Sequence, residues 1–341
     1  MSSLLRKLRP AVLTILGALI VIALFVQIAG KDPIAAAGVF LDHSLGRWNG
    51  LAEVVVRAVP LTLCGLGIAF AFRARMFNVG ADGQLIVGAI LAVWVALMLP
   101  GLPSWLLLPI FLLVGAAGGA AWGGLAGWLR ARYNASEIIV TIMLNYIALQ
   151  ILSRMIRGPL QESMKVFPRS DAVPDGILLS SFITGTRLHS GIFLALAATL
   201  VAFLVLRYSV FGYQLLAVGS SRPAARVGGI SDGRTMVLSM LAGGGFAGLA
   251  GAVEILGVHG RLQDDFAGGV GITAIAVALL ARLNPLAVPF AALLFGVISV
   301  GSGGLQRDMG VPLPLIHIIE GLVIVAFLVS SHLTGQRRAA A

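Results

Sequence analysis

From residue 11 to residue 332 the chain alternates apolar stretches of roughly membrane-crossing length with short links that carry arginine. About 20 apolar residues carry a helix across the hydrocarbon core of a bilayer. In that core every backbone polar group must be satisfied within the protein, so a chain patterned this way folds as packed helices. The pattern predicts an all-α, polytopic membrane protein with spans near 11–29, 51–72, 82–100, 104–129, 137–156, 189–206, 235–257, 270–282, 286–304 and 314–332. The eighth is short and bounded by glycine, the mark of a broken helix. Only 11% of the residues are charged, against about 25% in a soluble domain, so lipid must cover much of the surface. The net charge of +10 does not point to nucleic acid, because the basic residues sit in short clusters between apolar runs. Ser2 to Pro10 is basic, but the apolar run after it is long enough to span and lacks a small-residue cleavage site. The single cysteine, Cys64, excludes an internal disulfide and a cysteine-based metal site.

Orientation follows from the basic residues, which favour the cytoplasmic side. Placing the N-terminus inside puts Arg6, Lys7, Arg9, Arg73, Arg75, Arg130, Arg132, Arg207, Arg222, Arg226, Arg234, Arg282, Arg337 and Arg338 on that side. An even number of spans then puts both termini in the cytoplasm. The whole chain, 1–341, reads as one transmembrane domain with two longer links: an outer loop at 157–188, with Pro159, Pro168 and Pro174, and an inner loop at 207–234. No direct repeat is visible, which leaves room for an inverted repeat of the kind transporters carry with little sequence trace.

The run from Phe77 to Leu85 sets Asn78, Asp82 and Gln84 beside Gly80 and Gly83, between two strongly apolar stretches. Polar groups there are costly unless structure or function uses them, so the run is either a tight turn or an irregular segment lining a polar pathway. Thr141, Asn145 and Tyr146 in the fifth span, Glu254 in the seventh and Glu320 in the tenth are pathway candidates on the same ground. His317 and Glu320 are three apart on one helix, but no second ligand pair accompanies them, so no metal is expected. No phosphate-binding loop with a following lysine, no His-Glu-x-x-His and no nucleophile constellation occurs. ATP hydrolysis and covalent chemistry are therefore not expected in this chain, nor is a cofactor. Gly115, Gly119, Gly123 and Gly127 recur every fourth residue, as do Gly244, Gly248 and Ala252. Such stripes let helix backbones approach closely in lipid.

Three segments together resemble a known family. Phe72 to Gln84 is similar to the F-x-x-G-x-F-N-I-G-A-E-G-Q segment of ABC-transporter permeases for nucleosides and simple sugars, within the branched-chain amino acid and ribose permease group. Glu137 to Ile147 resembles their N-E-[VI]-I-x-T-I-M-L-N-Y-I run, and Gly271 to Pro285 resembles G-F-x-x-I-A-V-A-L-L-G-R-x-x-P. The chain departs from those patterns at Arg75, Asp82, Ser136, Ile272 and Ala281, and has Leu216 where the family's corresponding loop commonly has arginine before Ala217. The long outer loop resembles that of the first of the two paired nucleoside permeases. The resemblance implies a subunit of the cell inner membrane that works with a separate ABC ATPase, a second permease and an external substrate-binding protein or lipoprotein. It also implies that the inner loop couples to the ATPase, with Phe211, Leu215, Leu216, Val218, Gly219, Arg222 and Arg226 as the coupling candidates. An uncharged nucleoside needs amide, hydroxyl and aromatic partners, which Asn78, Thr141, Asn145 and Tyr146 offer. The alternatives are a permease for ribose-like sugars or branched-chain amino acids, and a proton-coupled transporter with Asp82, Glu254 or Glu320 as relay.

Overall fold

The computed structural model describes residues 30–312 without a break, with residues 20, 23, 24, 26–28, 315, 318, 321, 322 and 325 beside them. The first and tenth predicted spans lie largely outside the described residues, as do His317 and Glu320. Among the described residues the protein is helical: α1 (Pro33–Leu41), α2 (Trp48–Arg73), α3 (Ala81–Met98), α4 (Ser104–Tyr133), α5 (Glu137–Ile156), α6 (Gly191–Tyr208), α7 (Val210–Ser220), α8 (Arg222–Val227), α9 (Asp232–Glu254), α10 (Val270–Leu280) and α11 (Val288–Met309). Extended pairing is limited there to two isolated bridges, Arg169 with Gln263 and Ser181 with His189.

Among the described residues seven helical segments are long and apolar enough to cross a membrane: Trp48–Arg73, Ala81–Met98, Ser104–Tyr133, Glu137–Ile156, Gly191–Tyr208, Asp232–His259 and Pro285–Met309. Each coincides with a predicted span. The predicted eighth is different. It forms α10, of 11 residues, which rises only about 16 Å against a hydrocarbon core of about 30 Å. Gly268 and Gly269 precede it with φ of 50° and 73°, and Arg282 and Leu283 follow it with φ of 53° and 56°. Left-handed backbone on both sides stops the helix from extending in either direction.

The chain divides into two compact units. One comprises Met1–Val55 with Leu293–Ala341. Here Val26, Ala36, Leu305 and Val311 form a buried cluster, flanked by Val39, Phe40 and Met309. The Phe40 ring lies over Gly301, and His43 Nε2 meets the Asp308 carboxylate at 2.6 Å.

The second unit, Val56–Ala292, holds α3 to α10. Its centre is the pairing of α4 with α9, and the glycine stripes of the sequence create it. A methyl group on Gly119 would overlap the carbonyl of Gly244 and the backbone of Gly248; one on Gly115 would meet Ala252; one on Gly123 would meet the carbonyl of Met240. Gly88 brings α3 into the same contact, against Gly248 and the carbonyl of Gly115. Lipid gives no hydrophobic drive between helices, so close backbone packing holds them together.

Outside the spans, the 157–188 loop is tied to the segment before α10. Ser170 N donates to Leu262 O, and Val173 N to Gly260 O, both at 2.9 Å. Arg157 forks onto Asp264. Arg169 holds the Glu162 carboxyl below the ordinary carboxylate range, helped by the Phe167 N–H. The N–H and hydroxyl of Ser163 do the same for Asp171.

Candidate functional site

The link between α2 and α3 is where the packing departs most from the sequence expectation. Arg73 and Arg75 suggest a turn at the membrane edge, with Asp82 satisfied by water or arginine. The structure puts the run deeper. Arg73 donates to Leu283 O at 3.1 Å, which fixes the arginine-rich end of α2 at the C-terminal end of α10. Asp82 instead accepts from Gly271 N at 2.6 Å, at the other end of that helix. The Asn78 amide lies level with Gly67 of α2 and Gly243 of α9, and Gly67 is about 9 Å up the helix from Arg73 at 1.5 Å per residue. The non-helical chain from Met76 to Gly80 therefore runs back beside α2, and α3 starts well inside the span. Arg75, where the family pattern has glycine, begins this return with φ of 52°.

Irregular backbone at that depth survives only when protein satisfies it, and here the polar residues of the run do so. Asn78 and Gln84 exchange amide hydrogen bonds in both directions at 2.9 Å. Asn78 Oδ1 also accepts from Gly80 N at 3.0 Å. From α5, Asn145 accepts from Gly83 N at 2.8 Å and donates to Val79 O at 2.9 Å. The Thr141 side chain packs on Gly80, while its hydroxyl donates to Glu137 O. Asn78, Gln84 and Thr141 are each no more than 1% exposed. Asp82 caps the N-terminus of α10, where a carboxylate is favoured by the helix dipole. The structure thus gathers Asn78, Gln84, Thr141 and Asn145 into one buried knot, with Asp82 joined to it through the first turn of α3.

Tyr146 follows Asn145 in sequence but lies on the opposite side of α5, 62% exposed. The buried side of α5 is Thr141, Leu144, Ala148, Leu152 and Ile156. Its outward side carries Tyr146, Gln150 and Arg154, spaced by four residues on an open, largely apolar face with Ile147, Ile151 and Met155. Gln150 and Arg154 escape a reading by motif; their four-residue step from Tyr146 is the signal that finds them. Glu254 is buried at the end of α9, with its carboxylate 3.6 Å from His259 Nδ1. Among the described residues no group of three or more His, Cys, Asp or Glu side chains is arranged to hold a metal.

The 207–234 link folds into α7 and α8. Ser209 caps α7 by accepting from Gly212 N, and Ser221 caps α8 by accepting from Ala224 N. Leu215 and Val218 point into the protein, at 0% and 1% exposed. Gly219 lies against the Arg73 carbonyl with no room for a side chain. Phe211 stacks on Phe70 at 6.1 Å. Of the apolar coupling candidates only Leu216 faces fully outward, at 59% exposed, where it joins Val210, Tyr213 and Val227. Arg222 is half-buried. Arg226 forks onto Asp232 at 2.9 and 2.7 Å, which raises its already high pKa.

Comparison with known proteins agrees with this architecture. Residues 50–328 match the family model of the branched-chain amino acid transport system permease component. The glucose ABC transporter permease protein TsgB13 of Haloferax volcanii is 38% identical over 94% of this chain and 86% of its own length. The guanosine ABC transporter permease protein NupP of Bacillus subtilis is 37% identical over 84% of each chain. The nucleoside ABC transporter permease protein NupB of Lactococcus lactis is 32% identical over 91% of this chain and 86% of its own. Bacillus subtilis and Lactococcus lactis each carry a second, more distant relative, NupQ and NupC, both 25% identical over about seven-tenths of this chain. With a matched model over most of its length and seven apolar helices, the chain belongs to the branched-chain amino acid transport system permease family, as a multi-pass membrane permease subunit of an ABC importer.

Proposed function

We propose that this subunit pairs with a second permease to import nucleosides, driven by a separate ATPase and supplied by an external binding protein. The observation that carries the reading is the contrast between the two sides of α5. Its inner side, with Thr141 and Asn145, is consumed in holding the α2–α3 link. Its outer side is exposed along a spanning helix yet carries Tyr146, Gln150 and Arg154. Gln150 stands within the body of that helix, where a polar group is costly against lipid, so that side meets a second subunit or a solute. An aromatic ring, an amide and a guanidinium in a row offer stacking and hydrogen bonds to a base and hydroxyls to a ribose. On this reading Asn78, Asp82, Gln84, Thr141 and Asn145 act on transport by fixing α5 rather than by touching solute, and Glu254 and Glu320 carry no proton.

The relatives' names support the substrate class: two are permeases for guanosine or nucleosides. A glucose permease is as similar, which makes a sugar the second reading. The deciding experiment is uptake by cells expressing the complete transporter. Labelled guanosine and uridine should enter, excess unlabelled glucose should not compete, and entry should stop on ATP depletion but survive a protonophore. Competition by glucose alone would establish the sugar reading instead, and loss of entry with the protonophore alone would overturn ATP drive.

The outward residues of α7 and α8 suit the contact with the ATPase. Val210, Tyr213, Leu216 and Val227 are held on short capped helices at the arginine-rich end of the bundle, where a rigid body can transmit motion. Nucleotide binding would then bias two packings of the paired permeases, as a ligand biases any two-state equilibrium.

A further inference from the structure

Beside α7, at the arginine-rich end of the second unit, lies a cleft of about 630 Å³ whose α7 rim, Tyr213 and Leu216, borders the proposed ATPase contact. Arg73, Arg207, Tyr208, Tyr213 and Asn284 line its polar part, and Phe203, Leu206, Leu216 and Pro285 its apolar part. Its volume is in the range of small-molecule sites, roughly 300–1,000 Å³.

The polar part is built from donors. Among the described residues no carboxylate is in ion-pair range of Arg73 or Arg207, although other arginines of the protein are so paired. Arg73 spends one donor on Leu283 O and keeps the rest of its guanidinium fork. The cleft thus holds two guanidinium groups without counter-charge, and the arginine fork matches phosphate oxygens.

The apolar part says what that anion is attached to. Phe203 and Leu206 belong to the last two turns of α6, a spanning helix; Leu206 forms the buried floor and Phe203 the partly exposed edge of the cleft, which opens at the end of that span. Tyr208 and Tyr213 are 74% and 66% exposed, as aromatic side chains are at the level of lipid headgroups. We infer that the cleft between α6, α7 and the link that precedes α11 binds an anionic phospholipid, its phosphate on Arg73 and Arg207 and its acyl chains leaving past Phe203 along α6. Basic pockets between spanning helices take such headgroups by the same combination of charge and apolar contact. The lipid would buttress α7 from the side opposite Phe211.

The test uses the assembled transporter in nanodiscs of phosphatidylcholine doped with a photoreactive phosphatidylglycerol, with labelled segments read by mass spectrometry. Label should concentrate in residues 203–216. Arg207→Gln, at an exposed position, should lower it about fivefold, while Arg132→Gln, an exposed arginine at the same end of the bundle, leaves it unchanged. Millimolar inorganic phosphate should not displace it. Equal loss in both variants would mean diffuse surface charge and no site. Equal label from a photoreactive phosphatidylcholine would remove the anion, and displacement by phosphate would make it a soluble-phosphate site. Label that appears only after the ATPase is stripped would assign the cleft to the ATPase. Each of these four results overturns the proposal.

Discussion

Two neighbouring glycines of α9 should respond to the same substitution with opposite sign. In Gly244→Ala the new methyl overlaps the Gly119 carbonyl oxygen, and would stand 2.9 Å from its carbon and 3.2 Å from Ala120 Cα. All three are helix backbone, so α4 and α9 must separate as bodies, which breaks the adjacent Gly115–Gly248 approach as well. Overpacking of this kind costs about 1–3 kcal/mol. In Gly245→Ala the nearest atoms, Ala116 O and Ala120 Cβ, are both at 3.7 Å, an ordinary contact distance. Nothing has to move, and the helix gains the propensity difference between alanine and glycine, about 0.8–1 kcal/mol. The propensity gain is common to both, so the two variants should differ by the overpacking cost, roughly 1–3 kcal/mol, from one methyl group moved by one residue. Unfolding free energies in mixed micelles, titrated with denaturing detergent, read the difference directly. Equal destabilisation of both, or no effect of Gly244→Ala, would refute the claim that close backbone contact holds α4 to α9.

Asn145→Ala should cost about 1–3 kcal/mol in the same titration, since it strands Gly83 N and Val79 O at membrane depth; Tyr146→Phe should leave stability unchanged and alter only uptake. Leu216→Asp and Val227→Asp should abolish uptake with normal membrane levels, while Leu215→Asp should lower the membrane level itself because its side chain is interior. The 157–188 loop should loosen in acid. The folded-state pKa of Glu162 is depressed, chiefly by Arg169, so its stabilising effect is full above the ordinary carboxylate range and is lost as pH falls through the lower folded value. Limited proteolysis of 157–188 from neutral to acidic pH reads this, and Glu162→Gln should make the loop sensitive at neutral pH already.

The sequence announced much of this fold because its two strongest signals are local. Hydropathy located every span among the described residues to within a few positions, and the four-residue glycine steps identified the surfaces by which α4 and α9 meet. The depth of the Phe77–Leu85 run was not legible. It depends on Gly271, far along the chain, and the neighbouring Arg73 and Arg75 pointed to the membrane edge. Nor was the inward turn of Leu215 and Val218. Phe211, Leu215, Leu216 and Val218 are all apolar, so periodicity does not separate the residue that faces out from those that face in. Asp82 was legible as a polar residue in need of a partner, but not as the cap of a helix that the sequence itself suggested was broken.

That returning link also constrains how the protein is made. When α2 and α3 enter the bilayer during synthesis, Asn78 and Gln84 can already bond each other, but other groups that satisfy the segment do not yet exist there. Asn145 arrives with α5, and the Gly271 amide only with α10, nearly two hundred residues after Asp82. Until then Val79 O, Gly83 N and the Asp82 carboxylate cannot rest at their final depth without unmet hydrogen bonds in hydrocarbon. The link must wait at the headgroup level and be drawn inward as the later helices assemble around it. A nascent chain arrested before residue 271 should therefore expose this link to water-soluble reagents, and the full chain should hide it; completion of the C-terminal third is what seals the N-terminal half.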